Sequence, residues 1–166
     1  MTDFIFTVET TSSNETFTIP HGTGTFNYNV SWGDGSSDDT GVTSSPTHTY
    51  TTAGTYTITI TGTFPSIKFN NGGDKLKVKT VQQLGNVGWT SLESAFYGCS
   101  NMTSFTAGTG ADTSSVTTMD SMFRNCSGLT SLDVSNFDRS SVTSMSIMFW
   151  DCTSLTSLDV SNFDTS

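Results

Sequence analysis

The stretch LTSLDVSNFD occurs twice in the chain, at Leu129–Asp138 and again at Leu155–Asp164. It belongs to a longer pattern, because nine apolar or cysteine positions within residues 116–137 recur 26 residues later within residues 142–163. A more divergent copy begins at Leu92 and is offset by 27 residues. So regular a spacing predicts stacked repeat units, since a single unit cannot bury its apolar edge alone.

Two spacings alternate within each unit. Val142, Met145, Phe149 and Cys152 are three and four residues apart, which predicts an amphipathic helix of about three turns. The stretch that follows reads L-x-x-L-x-V-x-x-F and predicts a short strand. The expected fold of this region is therefore an α/β leucine-rich-repeat solenoid of about three coils, with one strand and one helix in each coil.

The N-terminal part has a different pattern. In FNYNVSW, apolar residues from Phe26 to Trp32 alternate with polar ones, and TYTITIT repeats this alternation from Tyr56. Alternation with a period of two predicts strands with one buried face. Several short strands separated by turns such as GDGSSDDTG indicate a small all-β sandwich of the immunoglobulin-like type.

Three motifs of this part resemble one family. WGDGS at Trp32–Ser36, THTY at Thr47–Tyr50 and AGTYTITI at Ala53–Ile60 occur in the order found in polycystic-kidney-disease (PKD) domains, which are immunoglobulin-like. The resemblance covers residues 1–66 and implies a spacer or binding module of an extracellular protein. The same resemblance implies a calcium site as one alternative, with Asp34, Asp38 and Asp39 as its candidate ligands.

The residues themselves favour a turn over a metal site. Asp34 lies between two glycines, where its side chain can hydrogen-bond to the local backbone. Calcium takes about six to eight oxygen ligands, more than this segment offers. We therefore expect no cofactor, and calcium stays open as the alternative.

The repeats resemble a second family. SSVTSMSIMFWDCTSLTSLDVSNFDTS, at residues 140–166, is similar to the 26-residue units of BspA-like leucine-rich-repeat surface proteins. The resemblance implies a repeat array over residues 99–166, expected to be truncated, and a linker with an N-terminal capping segment over residues 67–98. Members of that family are mainly bacterial surface proteins implicated in adhesion.

Two surfaces are candidate binding sites. The outward positions of the predicted strands form a small, hydroxyl-rich and acidic face, for which a merely solvated surface is the alternative. Those positions are Ser131, Asp133, Ser135, Ser157, Asp159 and Ser161. The second surface is a variable ridge on the helical side, formed by Tyr97, Arg124 and Trp150. Tyr, Arg and Trp are the residue types that dominate binding hot spots.

Composition excludes several classes of function. The chain has 15 acidic and 6 basic residues, so it lacks the basic footprint of a nucleic-acid-binding protein. With two histidines and no catalytic motif, we expect no enzyme. No signal peptide and no membrane span are visible. Cys99, Cys126 and Cys152 occupy one repeat position and are expected to be free thiols.

The sequence thus predicts a non-enzymatic, extracellular or surface-exposed binding or adhesion protein. Its expected partner is a protein or glycan ligand on a host or neighbouring cell. The alternative is a structural spacer or phage/virion appendage component without a ligand of its own. End-to-end self-association through the C-terminal coil is also expected, since no capping segment follows Phe163.

Overall fold

The computed structural model describes residues 2–161 and 163. Nine strands and one three-residue 3₁₀ turn, Lys75–Lys77, make up its regular structure. The strands are β1 (Phe4–Thr10), β2 (Glu15–Thr18), β3 (Asn27–Ser31), β4 (Asp39–Val42), β5 (Thr47–Tyr50), β6 (Gly54–Thr63), β7 (Val78–Gln83), β8 (Ser104–Thr106) and β9 (Ser131–Asp133). The described residues contain no α-helix.

One mixed sheet of seven strands, in the order β4-β3-β6-β1-β7-β8-β9, runs through the molecule. Its first five strands pair antiparallel, and β7, β8 and β9 pair in parallel. The strands β2 and β5 form a separate two-stranded antiparallel sheet. The ring of Phe17 on β2 lies 6.1 Å from that of Phe6 on β1, so the two sheets share a core.

The alternation in the N-terminal part confirms the predicted strands. Tyr28 and Val30 of β3 are buried, and their polar neighbours Asn27 and Asn29 are exposed. A fully buried side chain of this size contributes about 2 kcal/mol by removing apolar surface from water. Strand formation here is therefore driven by burial of one face of each strand.

The strand β7 joins the N-terminal part to the repeats. It pairs antiparallel with β1, and the hydroxyl groups of Thr7 and Thr80 are 2.7 Å apart across this pair. On its other side, β7 pairs in parallel with β8, where Val81 lies opposite Phe105. One cluster of buried side chains extends through both parts of the chain. The two parts are therefore continuous in hydrogen bonding and in packing.

The repeat stack, residues 90–163, is held together by contacts between equivalent positions. Phe96, Phe123 and Phe149 form a column in which successive ring centres are 6.0 and 5.9 Å apart and the rings are nearly parallel. Hydroxyl groups add a second column, because Thr143 donates to the carbonyl of Thr117 at 3.1 Å. Identical residues recur because each unit packs against a unit like itself.

The predicted α/β leucine-rich-repeat solenoid is wrong. The segments with helical spacing are chains of turns, in which Ala95, Tyr97 and Cys99 each donate a backbone hydrogen bond to the carbonyl three residues earlier. The alternate residues donate their backbone N–H groups to carbonyls of the next unit instead. These inter-unit bonds run from Leu92, Ser94, Phe96 and Gly98 to Thr118, Asp120, Met122 and Arg124.

Backbone geometry explains why no helix forms. Ser94, Ser121 and Ile147, at one position of successive units, have positive φ angles of 53°, 56° and 47°. An α-helix needs negative φ throughout and directs its N–H groups to its own carbonyls. Here half of those N–H groups are satisfied by the neighbouring unit, so stacking replaces helix formation. The whole described chain is consequently all-β.

Candidate functional site

The aspartates proposed for calcium lie in or next to a hydrogen-bonded turn of the N-terminal part. Asp34 Oδ2 is 2.7 Å from Nε2 of His48, and its Oδ1 accepts bonds from the backbone N–H and the hydroxyl of Ser36 at 3.0 and 2.5 Å. The His48 ring in turn stacks on Trp32, with ring centres 4.8 Å apart. The histidine is thus a structural link between the GDG turn and β5.

Asp39 has a separate partner in this region. Its Oδ2 accepts a bond of 3.0 Å from the indole N–H of Trp32, and Asp38 is exposed. Within the described residues, no group of three or more His, Cys, Asp or Glu side chains is gathered as a metal ion would require. Asp34 and Asp39 therefore serve different local contacts, and Asp38 stays exposed between them in the sequence.

The pKa of the Asp34 carboxyl reflects this geometry. Burial by itself raises the pKa, but hydrogen bonds from Ser36 and His48 favour the ionised form more strongly and lower it to about 2. The ionised carboxylate of Asp34 is therefore the form that stabilises the turn through its hydrogen bonds to Ser36 and His48.

The structure forms the first of the two predicted outward strands, as β9 (Ser131–Asp133), but residues 157–161 are not in a strand. The aspartates of both segments are occupied by local turns. Asp133 Oδ1 accepts bonds from the backbone N–H and the hydroxyl of Ser135 at 3.0 and 2.6 Å. Asp159 accepts the corresponding backbone bond from Ser161 at 2.9 Å. Ser131 and Ser157 are exposed beside them. These aspartates stabilise the turn of their own unit, as Asp side chains commonly do.

The predicted ridge lies at the apex of three equivalent turns. We define the apical turns as Phe96–Cys99, Phe123–Cys126 and Phe149–Cys152, each closed by a hydrogen bond from its cysteine to its phenylalanine. Tyr97, Arg124 and Trp150 are the second residues of these turns. The second residue of a tight turn projects away from the hydrogen bond that closes it. The three ridge residues are therefore neighbours on successive units.

The exposed aromatic surface of the ridge belongs to Trp150, because Tyr97 and Arg124 are half-buried. Trp150 is 63% exposed, the highest value among the exposed large apolar side chains described. The guanidinium of Arg124 lies over the ring of Tyr97, 5.0 Å from its centre, which is a cation–π arrangement. This contact holds both side chains against the stack.

A groove of about 340 Å³ adjoins the ridge, and sequence reasoning missed it. It runs along the stacking direction past the third residues of the apical turns. Its lining consists of Asn71, Lys75, Leu76, Gly98, Ser100, Asn125, Ser127 and Asp151. The groove thus has polar side chains apart from Leu76 and Gly98, and it passes all three apical turns.

Backbone conformation creates this groove. The third residues of the apical turns, Gly98, Asn125 and Asp151, have φ angles of 84°, 57° and 61°. A Cβ atom on Gly98 would lie 2.3 Å from Oδ1 of Asn71, so glycine at this level lets Asn71 pack closely against the apical turn. The turn signal was present in the sequence as Gly, Asn or Asp at one repeat position, since these residues favour positive φ.

The cysteines are the last residues of the apical turns. Cys99 and Cys126 are buried, and Cys152 is half-buried; all three are free, as predicted. Cys126 Sγ donates to the carbonyl of Phe96 at 3.1 Å, and burial raises the thiol pKa of each cysteine. Neutral buried thiols are packing groups rather than nucleophiles.

These features define a class: an all-β protein in which an immunoglobulin-like region continues into a parallel stack of short repeat units. Residues 3–66 match a family model described as a PKD domain, and residues 90–166 match one described as "Mycoplasma protein of unknown function, DUF285". The first match confirms the PKD resemblance. The second supports the BspA-like resemblance in part, and the predicted boundaries at 66/67 and 98/99 stay a prediction.

No curated protein and no solved structure was found to match the chain. A PKD domain is typical of extracellular proteins, which is consistent with the predicted location. Among the residues that the structure describes, no helix is long and apolar enough to cross a membrane. The end of the last unit, proposed for self-association, includes residues 164–166, which lie outside the described part of the chain.

Proposed function

We propose that this chain is a non-enzymatic, surface-exposed or extracellular binding protein that presents its repeat stack to a protein or glycan partner in adhesion. The PKD-domain match supports an extracellular setting. The acids that could suggest catalysis do not converge, because Asp133 and Asp159 each serve the turn of their own unit. A catalytic centre would instead need such groups to converge on one reacting atom.

The ridge is the observation that carries this proposal. Tyr97, Arg124 and Trp150 project from equivalent apical turns, where an unvarying scaffold presents three different large side chains. Exposing 63% of a tryptophan leaves unfavourable apolar surface in water, which a partner would cover. Aromatic and arginine side chains also dominate the binding energy of protein interfaces.

The test compares the two candidate faces on the intact chain. The chain is applied to an array of extracellular-matrix proteins and glycans, together with a variant carrying Tyr97→Ala, Arg124→Ala and Trp150→Ala. We expect the triple variant to lose at least about tenfold in affinity, since each removed side chain is of a hot-spot type. Val160→Ala, which shortens another exposed apolar side chain of the last unit, is the matched control.

A variant with Ser131→Ala, Asp133→Asn and Ser157→Ala examines the strand face in the same assay. A loss confined to this variant would move the binding surface from the ridge to the strands. If the wild-type chain binds nothing on the array, the proposed binding function fails.

A second candidate function is that of a rigid spacer, as in a phage or virion appendage. The observation that favours it is the continuous sheet, in which β7 hydrogen-bonds to β1 on one side and to β8 on the other. Such a junction resists bending better than a flexible linker does. Cross-linked or fused partners should keep a fixed separation in scattering measurements, and a broad distribution of distances would contradict this role.

We further propose that the GDG turn works without a resident cation. The oxygens of Asp34 already accept bonds from Ser36 and His48. EDTA should then leave the melting temperature unchanged. A melting temperature lowered by EDTA and restored by calcium chloride would contradict this.

A further inference from the structure

We propose that the groove beside the ridge binds an extended glycan, with a sugar ring packed against Trp150 and hydroxyl groups bonded to the groove floor. The proposal rests on the binding function proposed above and names its ligand class. A volume of about 340 Å³ is within the range of small-ligand sites, which span about 300–1,000 Å³.

The polar groups of the groove floor are free to serve a ligand. In the part of the chain that the structure describes, the side chains of Asn125, Ser100 and Ser127 form no hydrogen bond. An amide and a hydroxyl can each donate and accept, as sugar hydroxyls also do. Asp151 adds an acceptor at one end of the groove. The floor is therefore matched to a ligand rich in hydroxyl groups.

The ridge supplies the apolar side of the site. Trp150 directly precedes Asp151 of the groove, and Tyr97 directly precedes Gly98. The C–H face of a pyranose ring packs against an aromatic ring, and its hydroxyls point outward to polar partners. The ridge side chains do not line the groove itself, but a ligand that extends from the groove over the last apical turn would contact Trp150 as well as the polar floor.

The repeat geometry favours an extended chain over a single sugar. Gly98, Asn125 and Asp151 mark successive levels, and parallel strands such as β8 and β9 are spaced by about 4.8 Å. This rise is close to the length of one hexose in an extended glycan. A linear oligosaccharide that follows the groove would therefore pass one apical turn per sugar, meeting Gly98, Asn125 and Asp151 in succession.

The charges of the groove favour a neutral ligand. Its one cation, Lys75, is engaged by Asn71, whose backbone carbonyl accepts from Nζ at 2.7 Å and whose side-chain oxygen also contacts Nζ. Asp151 would repel an anion at the opposite end. An apolar peptide would also find little to contact, because Leu76 is the one apolar side chain in the lining. A neutral glycan thus fits best.

The experiment is calorimetric titration of the full chain with linear β-linked oligosaccharides of glucose and of N-acetylglucosamine, from disaccharide to hexasaccharide. Affinity should rise with length until the groove is filled. Trp150→Ala should weaken binding about tenfold, and Val160→Ala should leave it unchanged.

A pair of glycine variants separates the groove from general stability. Gly98→Ala displaces Asn71 from the groove wall, since its Cβ would collide with Asn71, whereas Gly88→Ala has a similar φ of 85° but open space around the Cβ. Both substitutions impose a similar backbone strain, and Gly98→Ala adds the collision with Asn71. Only Gly98→Ala should abolish glycan binding while the circular dichroism of both variants stays native.

The outcomes distinguish this proposal from the binding function. If the chain binds matrix proteins but none of the oligosaccharides, the glycan assignment is overturned and the binding function stands. If it binds neither, both fail. If oligosaccharides bind equally well to wild type, Trp150→Ala and Gly98→Ala, the ligand class holds but the groove is overturned as its site.

Discussion

The N-terminal part and the repeat stack reach the same all-β structure by different routes. In the N-terminal part, each strand pair joins residues with unique neighbours, such as Phe4 with Ile60 in the β1–β6 pair. In the repeat stack, one contact is repeated by translation, as in the column of Phe96, Phe123 and Phe149. In the N-terminal part, the strand register depends on each individual pair of residues. In the repeat stack, it depends on the constant spacing between units.

The difference determines what a local pattern can reveal. The alternation of buried and exposed residues along β3 identifies a strand, because successive side chains of a strand point to opposite faces. Spacings of three and four in the repeats identify only which residues face the core. Either a helix or a series of turns produces that spacing, and the choice depends on where the backbone N–H groups find partners. In this molecule they find them in the next unit.

The largest expected change in stability tests the packing between equivalent positions of the repeat stack. Phe123 is fully buried between two aromatic neighbours, whereas Phe149 at the last level is half-buried. Phe123→Ala should lower the free energy of unfolding by about 4 kcal/mol, and Phe149→Ala by about 2 kcal/mol. Urea denaturation measures both. Equal losses would show that the column does not depend on packing from both sides.

The next largest change in stability tests the packing of individual residues in the N-terminal part, with two glycines of one turn. Gly33 and Gly35 have φ angles of 80° and 81°, but a Cβ on Gly33 would lie 2.3 Å from the carbonyl oxygen of Thr57, whereas one on Gly35 meets nothing within 4 Å. Gly35→Ala should cost about 1 kcal/mol for backbone strain alone. Gly33→Ala should cost about 3 kcal/mol, because it adds a backbone clash.

Thermal or chemical unfolding of these two variants is the measurement. If their losses are alike, close packing of the GDG turn against β6 does not stabilise the N-terminal part.

A smaller change in stability depends on pH through Asp34 of the GDG turn. Because the pKa of Asp34 is lowered from 3.8 to about 2 on folding, its stabilisation is present above pH 3.8 and is lost as the pH falls through the folded value. Asp34→Asn should therefore destabilise by about 1 kcal/mol near neutral pH and by less as the pH falls toward 2.

Denaturant unfolding across this pH range compares Asp34→Asn with wild type. Asp38→Asn is the control, because Asp38 is exposed in the same segment and its side chain forms no hydrogen bond in the described residues. A pH-independent difference for Asp34→Asn would argue against the charged link to Ser36 and His48.

The smallest effect tests the turns that replace the predicted helix. Ile147 is β-branched, 44% exposed and has a φ of 47°, a conformation that asparagine adopts more readily. Ile147→Asn should stabilise the chain by about 0.5–1 kcal/mol, and Ile147→Val should not. A destabilising Ile147→Asn would instead be the result expected for a helix.

The sequence predicted some parts of this structure well and one part wrongly. The alternation around Tyr28, the free cysteines and the stacking of equivalent positions all follow from local periodicity and fixed spacing. The helices were wrong because the spacing of apolar residues does not report hydrogen-bond partners. The apical turns carried a signal in Gly98, Asn125 and Asp151, whose common preference is for positive φ.

The candidate site also has one part that the sequence predicted and one part that it did not. The ridge was visible in the sequence, because Tyr97, Arg124 and Trp150 occupy one variable position of a regular repeat. Their contact geometry was not, since the cation–π pair of Arg124 and Tyr97 depends on the stacking of two units. The groove could not be predicted, because its walls come from the capping segment and from every level of the stack.

By itself, the sequence determined that the chain has an immunoglobulin-like part and a periodic part, and which residues of each face the core. Burial of apolar side chains is a local requirement that composition and spacing express directly. Only the tertiary structure decided that the periodic part is a stack of turns, that one sheet joins both parts, and that a groove runs beside the ridge. These features depend on hydrogen bonds and contacts between units, which exist only once the units have stacked.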